Sequence, residues 1–167
     1  GEDYIMAPYA VPLLIASTAV TAIGAIQAGK DQKKAHDYNA SINERNAQAS
    51  DQAADQLILQ NEVDVKKFRN DFDDVQDATS QAFRYNGWMA DTGTPLKVAL
   101  ANASEADDQV NVMRYNAKVG KQELNEQGVQ QRMQGELNRM YGRNAARAGR
   151  FKAMGSLLSG ASSYASM

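Results

Sequence analysis

The feature that most constrains the fold is the scarcity of proline. Pro95 is the only proline after residue 12, so residues 13–94 contain no proline. A proline inside a helix removes a backbone hydrogen bond and costs about 3 kcal/mol, so a long stretch without one can remain helical. The only region in the middle of the chain with several helix-stopping residues is 85–95. The sequence therefore predicts two long helices joined by a turn.

Individual residues of this region suit the ends of two helices. Gly87 can adopt the left-handed conformation that ends the first helix. Thr94 can accept a hydrogen bond from a free amide at the start of the second, where Pro95 fits the first helical position. We therefore predict an all-α fold, a long antiparallel helical hairpin that forms oligomers and has apolar ends rich in small residues.

Composition argues against a large core and against catalysis. Hydrophobic residues make up 43% of the chain, but many are alanine, and aromatic residues are only 7%. There is no cysteine and a single histidine, His36, which we expect to be an exposed polar residue. No nucleophile–base pair, phosphate loop or metal-ligand spacing occurs, so we predict neither an enzyme nor a cofactor or metal site.

The chain divides into five predicted segments. They are an apolar N-terminal segment (1–29), a first long helix (30–86), the hairpin turn (87–94), a second long helix (95–152) and an apolar tail rich in Gly and Ser (153–167).

The N-terminal segment leaves two interpretations open. No residue from Tyr4 to Gly29 is charged, and about 20 apolar residues suffice to cross a bilayer. Its hydroxyl, amide and alanine side chains suit a buried or oligomer-packed helix equally well. The residues predicted to contact a membrane are Leu13, Leu14, Ile15, Val20, Ile23, Ile26, Leu157 and Leu158.

Apolar residues recur at alternating four- and three-residue steps on both long helices, from Ala54 and again from Leu96, which is typical of a heptad seam. If the numbers of facing residues add up to about 182, large residues of the first helix meet mostly small ones of the second. The predicted hairpin or oligomer seam comprises Ile58, Val65, Phe68, Phe72, Val75, Val110, Met113 and Leu124. This register places Phe72 opposite Val110 and Ile58 opposite Leu124.

Beyond Gln127 the spacing of the second seam changes, and we expect Met133, Leu137 and Met140 to resume it. Glycines at 120, 128, 135 and 142 occur in the same stretch. Since glycine weakens a helix interior, we expect bending or fraying there.

Charge is distributed unevenly although the net charge is only −2. Residues 30–86 contain 8 basic and 11 acidic residues, whereas 95–152 contain 10 and 6. Acidic residues at 71–77 and 105–108 are predicted to lie together near the turn. They could form a docking surface for a basic partner, a divalent-cation site or a solvated face.

Basic residues concentrate toward the other end of the hairpin. The predicted contacts to lipid headgroups or DNA phosphates are Lys30, Lys33, Lys34, Arg139, Arg143, Arg147, Arg150 and Lys152. The simpler interpretation is that these cations complement a helix dipole. At the turn, Tyr85 and Trp88 are either contact anchors or local packing residues.

Three parts of this layout resemble one known family. They are the opening Ala22-Ile23-Gly24-Ala25-Ile26-Gln27-Ala28-Gly29, the long helix rich in Ala, Gln and Asn, and the turn followed by Glu105-Ala106-Asp107-Asp108. The family is internal virion protein B, a core or ejection protein of short-tailed bacteriophages.

The resemblance implies a protein packaged in the virion near the portal and the larger internal virion proteins. It would be ejected before the DNA and enter the host outer membrane, bordering the periplasm, as part of a channel. We expect a homo-oligomeric ring that passes double-stranded DNA without sequence specificity. The alternatives are a core-ring, neck or adaptor protein with no membrane role, and a secreted helical-hairpin effector.

Overall fold

The computed structural model describes the backbone of residues 10–165 and the side chains of residues 20–163. It contains two helices, α1 (Ala10–Tyr85) and α2 (Gly93–Ala165), and no strand within that range. The predicted all-α helical hairpin is therefore confirmed. Both helices run without interruption through the predicted segment boundaries at 29/30 and 152/153.

The turn lies within the predicted region and ends α1 as expected. Gly87 has a φ of 80°, in the left-handed region where a Cβ atom is unfavourable. The Trp88 N–H donates to the Phe83 carbonyl at 2.9 Å, and the Gly87 N–H donates to the Arg84 carbonyl at 3.0 Å. This pair of bonds is a Schellman cap, which satisfies carbonyls that the end of a helix leaves free.

The second helix begins slightly earlier than predicted. It starts at Gly93, which also has a positive φ, of 61°, so Thr94 and Pro95 lie inside its first turn. A proline is tolerated there because the first N–H groups of a helix have no intrahelical partner.

The chain forms two compact units, and in each of them α1 packs antiparallel to α2. Unit 1 comprises Gly1–Asn46 and Gln130–Met167, and unit 2 comprises Ala47–Val129. In unit 2, Val65 and Val110 are each only 2% exposed, and Phe68 and Phe72 are half-buried beside them. Unit 2 therefore packs with ordinary apolar side chains.

Ion pairs across unit 2 define its register. Lys121 Nζ lies 2.9 Å from Asp55 Oδ1, and Arg69 Nη2 lies 3.7 Å from Asp107 Oδ1. Glu62 accepts two hydrogen bonds of 3.2 Å from Arg114, and these bonds and its charge raise the pKa of Arg114. In all three pairs the residue numbers add up to 176.

The predicted register, with a sum of about 182, is therefore wrong by six residues. In the observed register Phe72 is not level with Val110, and Ile58 is not level with Leu124. Regular heptads specify a seam but fit several registers. Specific contacts choose among these registers. A Cβ atom added at Gly120 would lie 2.7 Å from Leu57 Cδ2, so this large side chain lies directly over a glycine.

One residue of the predicted seam lies outside the packed face. Val75 is 63% exposed, whereas its neighbour Gln76 is half-buried. The inner positions of α1 step by four residues from Phe72 to Gln76, where a strict heptad requires three. An α-helix has 3.6 residues per turn, so a 3.5-residue pattern drifts until an extra residue restores its phase.

At each end of the predicted α2 seam, the residue next to the predicted one is buried in its place. Pro95 and Gly128 are buried, whereas the predicted Leu96 and Gln127 are exposed.

Unit 1 packs through glycine and alanine rather than large side chains. Ala22, Gly29 and Ala40 are buried on α1, and Gly135, Gly142, Gly149 and Ala153 are buried on α2. A Cβ atom added at Gly149 would lie 2.6 Å from the Ala25 carbonyl oxygen and 3.1 Å from the Gly29 Cα. The two backbones are therefore in direct contact.

This arrangement corrects two expectations about α2. The glycines do not fray it, because the helix is continuous to Ala165 and two of them, Gly135 and Gly142, are on its packed face in unit 1. Met133, Leu137 and Met140 do not resume the seam, since they are 63%, 41% and 40% exposed. Close packing places the smallest residues inside, and the larger apolar residues face outward.

Candidate functional site

In unit 1, six exposed apolar residues of α2 project from one side of the helix, in two groups at 133–140 and 151–158. At about 100° per residue, Met133, Leu137, Met140, Phe151 and Leu158 project within about 40° of one direction, and the buried glycines project from the opposite side. Every member of the set is at least 40% exposed. We call it the outer stripe: Met133, Leu137, Met140, Phe151, Met154 and Leu158.

The predicted phosphate-contacting residues differ in their partners. Lys33 pairs with Asp37, and Arg139 pairs with Glu136. The other six are exposed and make no ion pair with any residue that the structure describes. They are Lys30, Lys34, Arg143, Arg147, Arg150 and Lys152.

The observed register changes which of these cations are level with each other. Gly142 lies beside the Lys33 carbonyl oxygen, and Gly29 lies beside Ala145 and Ala146. Lys33 and Lys30 are therefore level with Arg143 and Arg147. A sum of about 182 would instead place the three lysines level with Arg147, Arg150 and Lys152, so the shift is more than about one and a half helical turns.

The two units also differ in charge. Unit 1 contains 10 Lys and Arg residues against 6 Asp and Glu, whereas unit 2 contains 8 against 14. The predicted separation of basic residues at one end of the hairpin from acidic residues near the turn therefore coincides with the division into units.

The predicted membrane contacts are largely exposed where they are described. Val20, Ile23 and Leu158 are each 67% or 68% exposed, Leu157 is 51% exposed, and Ile26 is half-buried. Leu13, Leu14 and Ile15 lie outside the residues whose side chains the structure describes. Within the described part of the chain, no helix combines the length and the hydropathy that a bilayer crossing requires.

The acidic residues near the turn do not form a metal site. Asp107 pairs with Arg69 instead of joining the other carboxylates. Among the described residues, no three His, Asp or Glu side chains come close enough together to hold a metal ion. The divalent-cation interpretation therefore has no support, and an acidic surface remains.

The residues at the turn are open to solvent. Tyr85 is 93% exposed, Trp88 59% and Met89 73%. Trp88 is therefore not a local packing residue, and Met89, which the sequence analysis did not select, extends the same surface.

His36 is not the freely exposed residue expected from the sequence. It is half-buried in unit 1, with its ring centroid 6.1 Å from that of Tyr141. Its Cβ atom lies 3.1 Å from the position that a Cβ atom on Gly142 would occupy. The glycine creates the space in which this histidine packs.

Unit 2 carries open grooves that the sequence analysis missed, and two of them contain a carboxylate. One, of about 340 Å³, is lined by Phe68, Phe72, Val75 and Glu105. The other, of about 400 Å³, includes Asp64 and Met113 among its lining residues. Both combine apolar walls with a carboxylate, which is a surface suited to a helix or peptide that bears cations.

No known protein family, curated protein or solved structure matches this chain.

Proposed function

We propose that this protein is an internal virion (ejection) protein of a short-tailed bacteriophage. In this proposal it is packaged near the portal and ejected into the host, where it helps to form a channel through the outer membrane and cell envelope for the genome. The protein acts as an oligomer and performs no catalysis. The DNA passes without sequence-specific contacts.

The observation that carries the proposal is the surface of unit 1. Six exposed cations there lack ion-pair partners among the described residues, and exposed apolar side chains such as Ile23 and Leu158 accompany them. Cations near a bilayer surface each contribute about 1 kcal/mol of attraction to anionic lipids. The same side chains can neutralise DNA phosphates. The family resemblance rests in part on the same layout, a long helix followed by a turn and a second helix.

The proposal is tested by removing this charge. Changing Arg143, Arg147 and Arg150 together to Gln should weaken binding to phosphatidylglycerol vesicles and to duplex DNA. The slope of affinity against salt concentration should also become shallower, because fewer counterions are released. Vesicle co-flotation and fluorescence anisotropy across a salt series measure the two effects.

The matched control changes Asp73, Asp74 and Asp77 to Asn, which alters the same amount of charge in unit 2. Binding should be preserved in this variant. Equal losses in both variants, or no loss in either, would show that the basic residues of unit 1 form only a solvated surface.

One observation favours a second candidate, a structural virion component such as a core-ring, neck or adaptor protein with no membrane role. The grooves of unit 2 that combine apolar walls with a carboxylate suit the docking of a helix from a neighbouring virion protein. Failure of the wild-type protein to float with anionic vesicles would favour this candidate. A secreted effector has no comparable observation in its favour.

A further inference from the structure

The two flanks of unit 2, on either side of the contact between α1 and α2, carry different side chains. On α1, Asp55, Glu62 and Arg69 form the ion pairs to α2, and their seven-residue spacing places them on one flank. Asp64 and Phe68 line the grooves. Because Asp64 follows Glu62 by two residues, about 200° around the helix, the grooves open on the other flank. One flank is therefore closed by charge pairs, and the other remains open and apolar.

The open flank has an acidic rim. Asp64 makes only a hydrogen bond from the Gln60 amide within α1, and Glu105 makes no ion pair with a described residue. Phe68 and Phe72 form part of the floor, with the exposed Val75 at its edge. An occupant of this flank therefore needs apolar side chains together with cations.

The outer stripe of unit 1 has this chemistry. Its apolar side chains are exposed, and Arg143 and Arg147 lie along one of its edges without ion pairs to described residues. The lengths also agree. Leu57 to Val75 in the grooves extends about 27 Å along a helix, at 1.5 Å per residue, and so does the part of the outer stripe from Met133 to Phe151, which contains both arginines.

Two outer stripes cannot provide each other with an apolar surface that has an acidic rim. Glu136 is the only acidic residue between Met133 and Leu158, and it already pairs with Arg139 of its own helix. A pair of outer stripes would therefore leave the arginines without acidic partners.

We propose that the outer stripe of one copy of this chain docks in the grooves of unit 2 of a second copy. Arg143 and Arg147 then face the acidic rim that includes Asp64 and Glu105. The inference deepens the proposed function, since it rests on assembly into oligomers, but it requires neither membrane nor DNA binding. Arg143 and Arg147 face the acidic rim in the assembled form and reach lipid or DNA only when this contact opens. The interface joins two different surfaces, so repetition of the contact produces a ring or an open filament.

Two surface variants test the interface. The stripe variant combines Met133→Glu with Phe151→Glu, and the groove variant combines Val75→Lys with Glu105→Lys. These side chains are exposed, so circular dichroism should show both variants to be folded. Tyr115→Glu, at another exposed site on unit 2, is the control.

Sedimentation velocity across a concentration series provides the measurement. We expect the wild-type chain and the control to self-associate, less strongly as salt rises. Each variant should lose about tenfold or more in association constant and sediment near its monomer mass of 18.2 kDa. Mixing the two variants should restore a single interface, between the intact stripe of one and the intact grooves of the other, and give a complex that stops at two chains.

The failures are distinguishable. If the wild-type chain stays monomeric, the inference fails together with the proposed assembly. If it self-associates but both variants do so equally well, or their mixture forms no two-chain complex, this interface is wrong while assembly stands. If the stripe variant loses only vesicle or DNA binding and still self-associates, the stripe faces another partner and the inference is overturned.

Discussion

At the scale of single residues, the absence of side chains is as informative as their presence. Gly29 and Gly149 lie where each would direct a Cβ atom into the backbone of the other helix, whereas Gly24 and Gly155 have nothing within 4 Å. Glycine lowers helix propensity by about 1 kcal/mol relative to alanine, so its repeated use in α2 needs compensation. Contact between the backbones of unit 1 supplies that compensation through close packing.

The first prediction concerns this contact. Replacing Gly149 with Ala should reduce the free energy of unfolding by about 1–3 kcal/mol, because the new methyl group meets backbone atoms that cannot rotate away. The gain in helix propensity offsets only part of the loss. Urea denaturation followed by circular dichroism measures the change.

Gly24→Ala is the matched control, since an added Cβ atom there points into open space. It should stabilise the protein by up to about 1 kcal/mol. Equal stability changes at the two sites would mean that the helices of unit 1 do not approach as closely as described.

At the scale of the helices, the two units bury different types of residue between α1 and α2. Unit 2 buries valines and half-buries phenylalanines, whereas unit 1 buries alanine and glycine. Burying one methyl or methylene group contributes only about 0.8 kcal/mol, so a face of small residues gains little from hydrophobic burial itself. Unit 1 therefore depends on the close fit of its two helices in a single register.

The second prediction tests that register with a cross-link. A Cβ atom at Gly135 would lie 4.0 Å from the Ala40 Cα, a separation compatible with a disulfide. The native chain has no cysteine. Replacing Ala40 and Gly135 with Cys should therefore give an intramolecular disulfide under mild oxidation, detected by mass spectrometry and by loss of free thiols.

The comparison pair replaces Ala40 and Gly142 with Cys, which corresponds to the register first predicted from the sequence. Gly142 lies about 10 Å further along α2, too far for a disulfide. Efficient cross-linking of this pair, with none between positions 40 and 135, would overturn the observed register.

At the scale of the whole molecule, the two units differ in charge, whereas both expose large apolar side chains. Unit 1 carries the excess of cations, and unit 2 carries the excess of carboxylates. Exposed Val20, Ile23 and Leu158 belong to the basic unit. In the proposed function this unit contacts anionic material, and the acidic unit repels the passing DNA.

The third prediction concerns the N-terminal apolar residues. Replacing Ile15 and Ile23 with Asp should abolish vesicle association, because two carboxylates would have to leave water. The circular dichroism spectrum should not change, since Ile23 is 67% exposed. The control replaces Val112 and Tyr115, two exposed residues of unit 2, with Asp. Unaltered flotation of the first variant would exclude a membrane role for these side chains.

The sequence by itself determined the number and type of the elements and the position of the turn between them. Proline scarcity, the glycines of the turn and heptad spacing are local signals, and each acts through the backbone of its own segment. For this reason the two long helices, the turn and the Gly87 cap could be predicted. The uneven distribution of charge was equally readable, because it needs only the order of the residues along the chain.

Only the tertiary structure decided the register, the glycine face and the side of α2 that remains exposed. Heptad patterns repeat, so apolar spacing alone could not separate a sum of 176 from one of about 182. Hydrophobicity favoured Met133 and Leu137 as interior residues. The backbones instead approach through Gly142 and Gly149, because close contact between two helices depends on the sizes of residues from both.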